Sequence, residues 1–174
     1  PDEVSRAKFS ASQERSIGVG ALGFHAYLQK NKLAWESNEA KGANLRMFRH
    51  IRSKLDEANI SLGKERGEAP DAEGTGNRFS HLMAIAPNAS SSIIMGNTSP
   101  SIEPWRANAY RQDTLSGAYL NKNKYLDSII TEYCEKHPRT NYDEVWSSII
   151  GNDGSVPVSY THLTLPTTKN LGGG

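Results

Sequence analysis

The chain lacks most of the features that mark secreted, membrane or nucleic-acid-binding proteins. Its 174 residues include one cysteine, Cys134, which excludes an internal disulfide framework and favours a reducing, cytoplasmic setting. No apolar run approaches the ~18 residues that a membrane-spanning helix needs, and residues 1–10 lack the apolar centre of a secretory signal. The 20 Lys and Arg are balanced by 19 Asp and Glu. We therefore expect neither a membrane nor a nucleic acid to be a direct partner.

The two ends of the chain predict that it is a piece of something longer. It begins at Pro1 without a methionine and ends in three glycines. The run VSYTHLTLPTT at residues 158–168 resembles the in-frame translation of transposase sequencing-adapter DNA. Residues 157–174 are therefore predicted to be a non-native, disordered tail, and His162 is given no role. Fold and function are predicted from residues 1–156, taken as one partial domain.

Apolar residues at helical spacing predict several helices. We expect long helices over residues 12–30, 37–66 and 122–136, a shorter one over 143–150, and a short one over 89–95. Gly67 is predicted to end the second of them. Small and apolar residues at 82–86 predict a fully buried strand, and residues 68–78 and 97–104 read as loops. Residues 110–119 are predicted to be irregular, with possible short strands.

Gly18, Gly20 and Gly23 spell G-x-G-x-x-G, the pattern of dinucleotide-binding turns. In such a site an apolar strand comes just before the glycines and a helix opens at them. Here the preceding residues are FSASQERSI, with Ser, Gln, Glu and Arg where the strand should be. We therefore expect the small residues to allow close packing of a helix backbone. A nicotinamide-dependent oxidoreductase remains the less favoured alternative.

The histidines and the cysteine form no recognisable reactive or metal-binding pattern. None of His25, His50, His81 and His137 has an i,i+4 histidine partner or an acidic or cysteine partner at metal-ligand spacing. Nothing pairs Cys134 with a base, so it is expected to be a half-buried small residue. No catalytic, cofactor-binding or metal-binding residue is predicted.

The run APNASSS at residues 86–92 stands where the predicted strand ends and the short helix begins. One interpretation is capping, in which Asn88 or a serine hydroxyl satisfies the first amides of the helix. The other is anion binding, in which those amides and hydroxyls hold a phosphate. Local sequence leaves both interpretations open.

Four segments together resemble the large, catalytic subunit of class I ribonucleotide reductase. They are RSIGVGALGFHAYLQ, MAIAPNASSS, GNTSPSIEPWRANAYRQDTLSGAYLNKNKYL and DEVWSSIIGNDGSV, and the resemblance keeps their order and spacing over residues 1–156. It implies an α/β fold, a fragment of the ten-stranded reductase barrel that is mostly helical with few strands. It also implies reduction of ribonucleoside diphosphates to 2'-deoxyribonucleoside diphosphates, the precursors of DNA, by a thiyl-radical mechanism.

The resemblance assigns the serine run to the substrate. Members of the family hold the substrate diphosphate at a strand-to-helix turn, which corresponds here to Pro87, Asn88, Ala89, Ser90 and Ser91. Many members have Thr where this chain has Asn, which keeps hydrogen-bonding groups at that position. The radical cysteine, the redox cysteines, the tyrosine relay and the allosteric sites would lie outside the chain. By itself the chain is therefore expected to be inactive and poorly stable.

The resemblance also implies cofactors and partners for the parent enzyme. These are a ribonucleoside diphosphate, a radical-generating small (β) subunit, thioredoxin or glutaredoxin as reductant, a second α subunit and ATP or dNTP effectors. The sequence after IEP is more similar to the aerobic, diiron-partnered enzymes than to the cobalamin-dependent ones, and Glu103 and Pro104 are expected to shape a loop near the active site.

Two rival interpretations make different structural predictions. A non-enzymatic helical interaction module, using the predicted helix 37–66 as its binding face, predicts no strand ending at Ala86. The oxidoreductase predicts a strand just before Gly18.

Overall fold

The computed structural model describes residues 2–157 and Ser159, so most of the predicted tail lies outside the described residues. Within this part the chain forms mainly helices, joined by long loops and one hairpin. The helices are α1 (Ser5–Glu14), α2 (Phe24–Lys30), α3 (Asn38–Arg66), α4 (Ala89–Ile94), α5 (Lys124–Lys136) and α6 (Tyr142–Gly151), with 3-10 turns at Asp2–Val4 and Pro70–Ala72. The strands β1 (Ala109–Thr114) and β2 (Gly117–Lys122) pair antiparallel, with Ala109 opposite Lys122 and Thr114 opposite Gly117.

The longest helix, α3, begins and ends as the sequence predicts. The Ser37 hydroxyl accepts the Ala40 N–H at 3.0 Å, which caps the start of the helix, and Gly67 ends it with a φ of 81°. Ala40 and Ala43 are buried against α2, where they form a core with Phe24, Leu28 and their neighbours. No helix in the described part of the chain, α3 included, is apolar enough over a sufficient length to cross a membrane.

A second core joins α5, α6 and the start of β1. Ile130, Val145 and Ile149 are fully buried there, and Cys134 lies half-buried at its edge, as predicted. Asp127 of α5 accepts the indole N–H of Trp146 at 3.1 Å and the hydroxyl of Tyr142. The hydrogen bond to Asp127 raises the pKa of Tyr142 to about 12. These hydrogen bonds join α5 to α6.

The single helix predicted over residues 12–30 is wrong. Helix α1 ends at Glu14, Arg15 turns into the left-handed region with a φ of 50°, and α2 begins only at Phe24. Between the helices, Val19 forms a parallel bridge with Met83. The Val19 N–H donates to the Leu82 carbonyl at 2.9 Å, and the Val19 carbonyl accepts from the Ala84 N–H at 3.3 Å. Pairing with a distant segment overrides the local helical pattern.

The glycines of the motif explain why this pairing is so close. A Cβ added at Gly18 would lie 3.0 Å from the Cβ of Ala84, and one added at Gly20 would overlap the Ala84 carbonyl oxygen. The sequence correctly indicates close backbone packing. The packing is between two extended segments, however, and not along a helix as predicted.

The strand predicted at residues 82–86 is confirmed only in part. The segment pairs with residues 17–19 through one bridge, and Leu82 is buried. Ala84, Ile85 and Ala86 are exposed, so the segment is not fully buried as predicted. The physical reason is that it has one extended neighbour among the described residues, which covers only one of its edges.

A glycine-rich loop at residues 67–79 connects α3 to this extended segment. The buried Asn59 side chain of α3 accepts the Phe79 N–H at 2.8 Å and donates to the Phe79 carbonyl at 3.1 Å. The Glu68 carboxylate accepts the N–H groups of Gly74 and Gly76, each at 2.6 Å. Helix α3 therefore sets where the chain enters residues 81–86, and through them the position of α4.

Candidate functional site

The candidate site is the turn between residues 81–86 and α4. The chain passes Pro87 and enters the helix through Asn88, which has a left-handed φ of 54°. The Asn88 carbonyl accepts the Ser92 N–H at 2.9 Å, and this bond closes the first turn of α4. The side chain of Asn88 makes no capping hydrogen bond. The short helix predicted at residues 89–95 is thus confirmed, but it has no side-chain cap.

The first amides of α4 are open. Among the described residues, the N–H groups of Ala89, Ser90 and Ser91 meet no hydrogen-bond acceptor, and all three residues are exposed. By contrast, side chains cap α3, α5 and α6. Unsatisfied amides and the positive end of the backbone dipoles favour an anion.

The three consecutive serines have different environments. Ser92 is buried, and its hydroxyl donates to the Ala89 carbonyl at 2.8 Å inside the helix. Ser90 and Ser91 are exposed next to the open amides. Small hydroxyl side chains let an anion approach the backbone and add donors of their own. The turn therefore presents three N–H groups and two hydroxyls to solvent.

The glycine motif G-x-G-x-x-G ends at the start of α2, where Ser99, in the loop after α4, accepts hydrogen bonds from two backbone N–H groups. The Gly23 N–H donates to the Ser99 carbonyl at 2.9 Å, and the Ala26 N–H donates to the Ser99 hydroxyl at 3.0 Å. Ser99 itself is fully buried. The glycines Gly18 and Gly20 lie within the extended segment instead of following it, and α1 comes before them. The geometry that a dinucleotide requires is therefore not found at this motif.

An open groove of about 650 Å³ runs from α4 to the hairpin. Ala89 and Ser92 line one side, and Trp105 and Arg106 are among the residues on the other. Arg111 also lines the groove, but its guanidinium lies 2.8 Å from the Asp113 carboxylate. The exposed Arg106 and Asp153 also line the groove, so its charged side chains are of both signs, and the groove includes Ala89, the first residue of α4.

His25 contacts Trp105, which lines this groove, and no sequence motif indicates that contact. Its Nδ1 accepts the backbone N–H of Trp105 at 3.3 Å. Its ring meets the rings of Trp35 and Trp105 edge-on, with centroid distances of 5.5 and 5.6 Å. Burial lowers the pKa of His25. Glu103 and Pro104, which the family resemblance leads us to expect near the active site, directly precede Trp105.

Comparison with known proteins agrees with this architecture. Residues 2–75 and 69–149 match the family model of the ribonucleotide reductase barrel domain. The ribonucleoside-diphosphate reductase large subunit of Invertebrate iridescent virus 6 is 56% identical over 156 residues, which are 90% of this chain and 16% of that protein. The corresponding subunit of Invertebrate iridescent virus 3 is 53% identical over 156 residues, covering 90% of this chain and 24% of that protein.

A solved structure gives the same result. The α subunit of the Actinobacillus ureae class Id ribonucleotide reductase is 38% identical and superposes with a TM-score of 0.70, covering 85% of this chain and 26% of that one. The chain thus spans about a quarter or less of the length of these relatives. The mostly helical fold with few strands is that of a fragment of the reductase α/β barrel, as predicted. An extended segment before α4 also disfavours the helical interaction module. This chain belongs to the ribonucleotide reductase family and forms part of its barrel domain.

Proposed function

We propose that residues 1–156 are part of the large subunit of a ribonucleoside-diphosphate reductase, which makes deoxyribonucleotides by a thiyl-radical mechanism. Support comes from the names of the relatives and from the match of the barrel domain over most of the chain. Residues 157–174 are proposed to be non-native. The chain alone is proposed to be inactive, because the radical and redox cysteines of the proposed mechanism would lie outside it, and its one cysteine, Cys134, is half-buried at the edge of the core of α5 and α6.

The role proposed for this part of the protein is to hold the substrate diphosphate. The observation that carries the proposal is the set of open amides at Ala89, Ser90 and Ser91. Phosphate oxygens accept hydrogen bonds from these N–H groups and from the hydroxyls of Ser90 and Ser91. The left-handed Asn88, after Pro87, turns the chain into α4, and the three residues that carry the open amides are exposed. Because α4 has only six residues, its dipole is small. We expect direct hydrogen bonds to the phosphate to contribute most of the binding energy at this turn.

Holding the diphosphate serves the chemistry at the ribose indirectly. The phosphates do not react, so their binding energy orients the rest of the substrate. The groove beside Ala89 gives the nucleoside a direction in which to extend, between α4 and the segment that contains Trp105. The residues that react with the ribose are proposed to lie outside this chain.

The partners of the intact enzyme are proposed on the family resemblance. They are a diiron-type radical-generating small subunit, thioredoxin or glutaredoxin, a second large subunit, and ATP or dNTP effectors. A cytoplasmic location is proposed on the same basis. No residue of this chain is assigned to any of them.

Binding of a nucleotide series to the full-length polypeptide that contains residues 1–156 tests the proposal. We expect calorimetry to show that ADP binds about tenfold more tightly than AMP, and AMP more tightly than adenosine, when the same saturating dNTP effector is present in every titration. The tenfold difference corresponds to about 1.4 kcal/mol, roughly what one charge-assisted hydrogen bond to the β-phosphate contributes. Equal affinities for ADP and adenosine would show that the diphosphate is not recognised.

A further inference from the structure

His25 connects α2 to the groove without contacting the candidate diphosphate turn. It is half-buried, and its ring lies between Trp35, before α3, and Trp105, on the groove wall. His25 Nδ1 accepts the backbone N–H of Trp105, so the neutral imidazole carries its proton on Nε2. On its far side, the Trp105 ring contacts Tyr125 of α5 at a centroid distance of 6.0 Å. Trp105 therefore contacts His25 of α2 and Tyr125 of α5. Its contact with His25 includes a hydrogen bond from the Trp105 backbone.

The bond requires neutral imidazole. A protonated ring has a donor at both nitrogens and cannot accept the Trp105 N–H. Burial lowers the pKa of His25, which favours the neutral ring in the folded protein. The charged residues closest in sequence to Trp35, Trp105 and Tyr125 are Glu36, Glu103, Arg106 and Lys124, and all four are exposed. The stabilising contribution of neutral His25 is complete above the unfolded pKa near 6.5 and is lost as pH falls through the lowered folded pKa.

We propose that His25 is a positioning residue: as a neutral acceptor for the Trp105 N–H, it fixes residues 103–106 and with them the groove wall that faces Ala89. Trp105 and Arg106 line the groove together with Ala89 and Ser92. When the hydrogen bond from the Trp105 backbone to His25 is lost, residues 103–106 can move relative to α4. The consequence for substrate affinity rests on the proposed function, whereas the hold on Trp105 does not.

Two variants separate the acceptor from the ring. His25→Phe keeps an aromatic ring between Trp35 and Trp105 but removes the acceptor. His25→Asn removes most of the ring but places Oδ1 near the position of Nδ1, where it accepts the same N–H without titrating. His50→Phe, at an exposed position on α3, is the matched control.

The experiment measures two quantities in the full-length polypeptide at pH 7.5. Hydrogen exchange at the Trp105 amide is read by residue-resolved mass spectrometry, and ADP affinity is read by calorimetry. We expect His25→Phe to accelerate exchange about fivefold, the factor that loss of one ordinary hydrogen bond gives, and to weaken ADP binding about threefold. His25→Asn and His50→Phe stay within twofold of the unmodified protein in both measurements.

A pH series adds a readout that a purely structural role would not change. After correction for the intrinsic pH dependence of exchange, protection of the Trp105 amide falls in the unmodified protein as pH is lowered from 7.5 to 5.5, and it stays constant in His25→Asn. Unchanged Trp105 exchange in His25→Phe overturns the positioning role, as does faster exchange with unchanged ADP affinity. Faster exchange in a protein that binds no ADP overturns the proposed function but supports the hold of His25 on Trp105.

Discussion

Replacing Gly63 by alanine destabilises the protein by about 2–3 kcal/mol, although alanine is the better helix former. Gly63 is buried in α3, where the loop at residues 67–79 crosses the helix. A Cβ added there would overlap the Gly76 carbonyl oxygen and lie 2.9 Å from the Gly76 carbonyl carbon and 3.1 Å from the Arg78 nitrogen. Backbone atoms cannot rotate away as a flexible side chain can. The loop must therefore shift, together with the segment that leads to the candidate site.

The thermal unfolding midpoint measures this effect, with Gly42→Ala as the control. Gly42 lies in the same helix, but its added Cβ would meet only the end of the flexible Arg46 side chain, at 3.1 Å. We expect Gly63→Ala to lower the midpoint by about 5–10 °C. Gly42→Ala should raise it by about 2 °C, because it adds helix propensity without a clash. Equal shifts in the two variants would show that the loop does not press on α3 as described.

Replacing Ser90 or Ser91 by aspartate weakens binding of ADP to the full-length polypeptide about a hundredfold. Each substitution places a carboxylate beside the open amides, where it competes for their hydrogen bonds and repels the phosphates. The same carboxylate is favourable at a helix start in the absence of ligand. The variants should therefore fold normally, and the loss should appear in affinity and not in stability.

The matched control is Ser128→Asp, an exposed position on α5. It adds the same charge to the protein and should change ADP affinity by less than twofold. A second comparison uses adenosine, which has no phosphate and should bind all the variants equally. Unchanged ADP affinity in both Ser90→Asp and Ser91→Asp would remove the turn from the substrate site.

The parts of the fold that the sequence predicts correctly are those fixed by local chemistry. Helices α3, α5 and α6 all carry a serine or asparagine cap, and their apolar residues repeat at helical spacing over ten residues or more. Gly67 ends α3 as predicted because only a residue that tolerates positive φ suits that position.

The errors lie where distant segments decide the structure. Residues 15–22 have helical spacing, yet they form no helix, because Val19 pairs with Met83, which is 64 positions away. No local signal reveals that partner. For the hairpin of β1 and β2 the sequence predicts only possible short strands, because its residues are largely exposed and polar and so lack an alternating apolar pattern.

The candidate site was predictable in position but not in detail. Sequence placed a strand-to-helix turn at Pro87 and Asn88, and the structure has a turn there after a partly paired segment. The sequence leaves capping and phosphate binding equally open, and the structure shows that, among the described residues, no side chain caps α4. The hydrogen bond between the Trp105 backbone and His25 joins residues that are 80 positions apart, and no rule based on sequence spacing detects such a contact.

A crystal structure of the full-length polypeptide with bound ADP tests the central claim most directly. The account predicts diphosphate oxygens about 2.7–3.2 Å from the backbone nitrogens of Ala89, Ser90 and Ser91, with the nucleoside extending toward Trp105. A diphosphate bound elsewhere in the barrel, or another segment of the protein occupying those three amides, would contradict it.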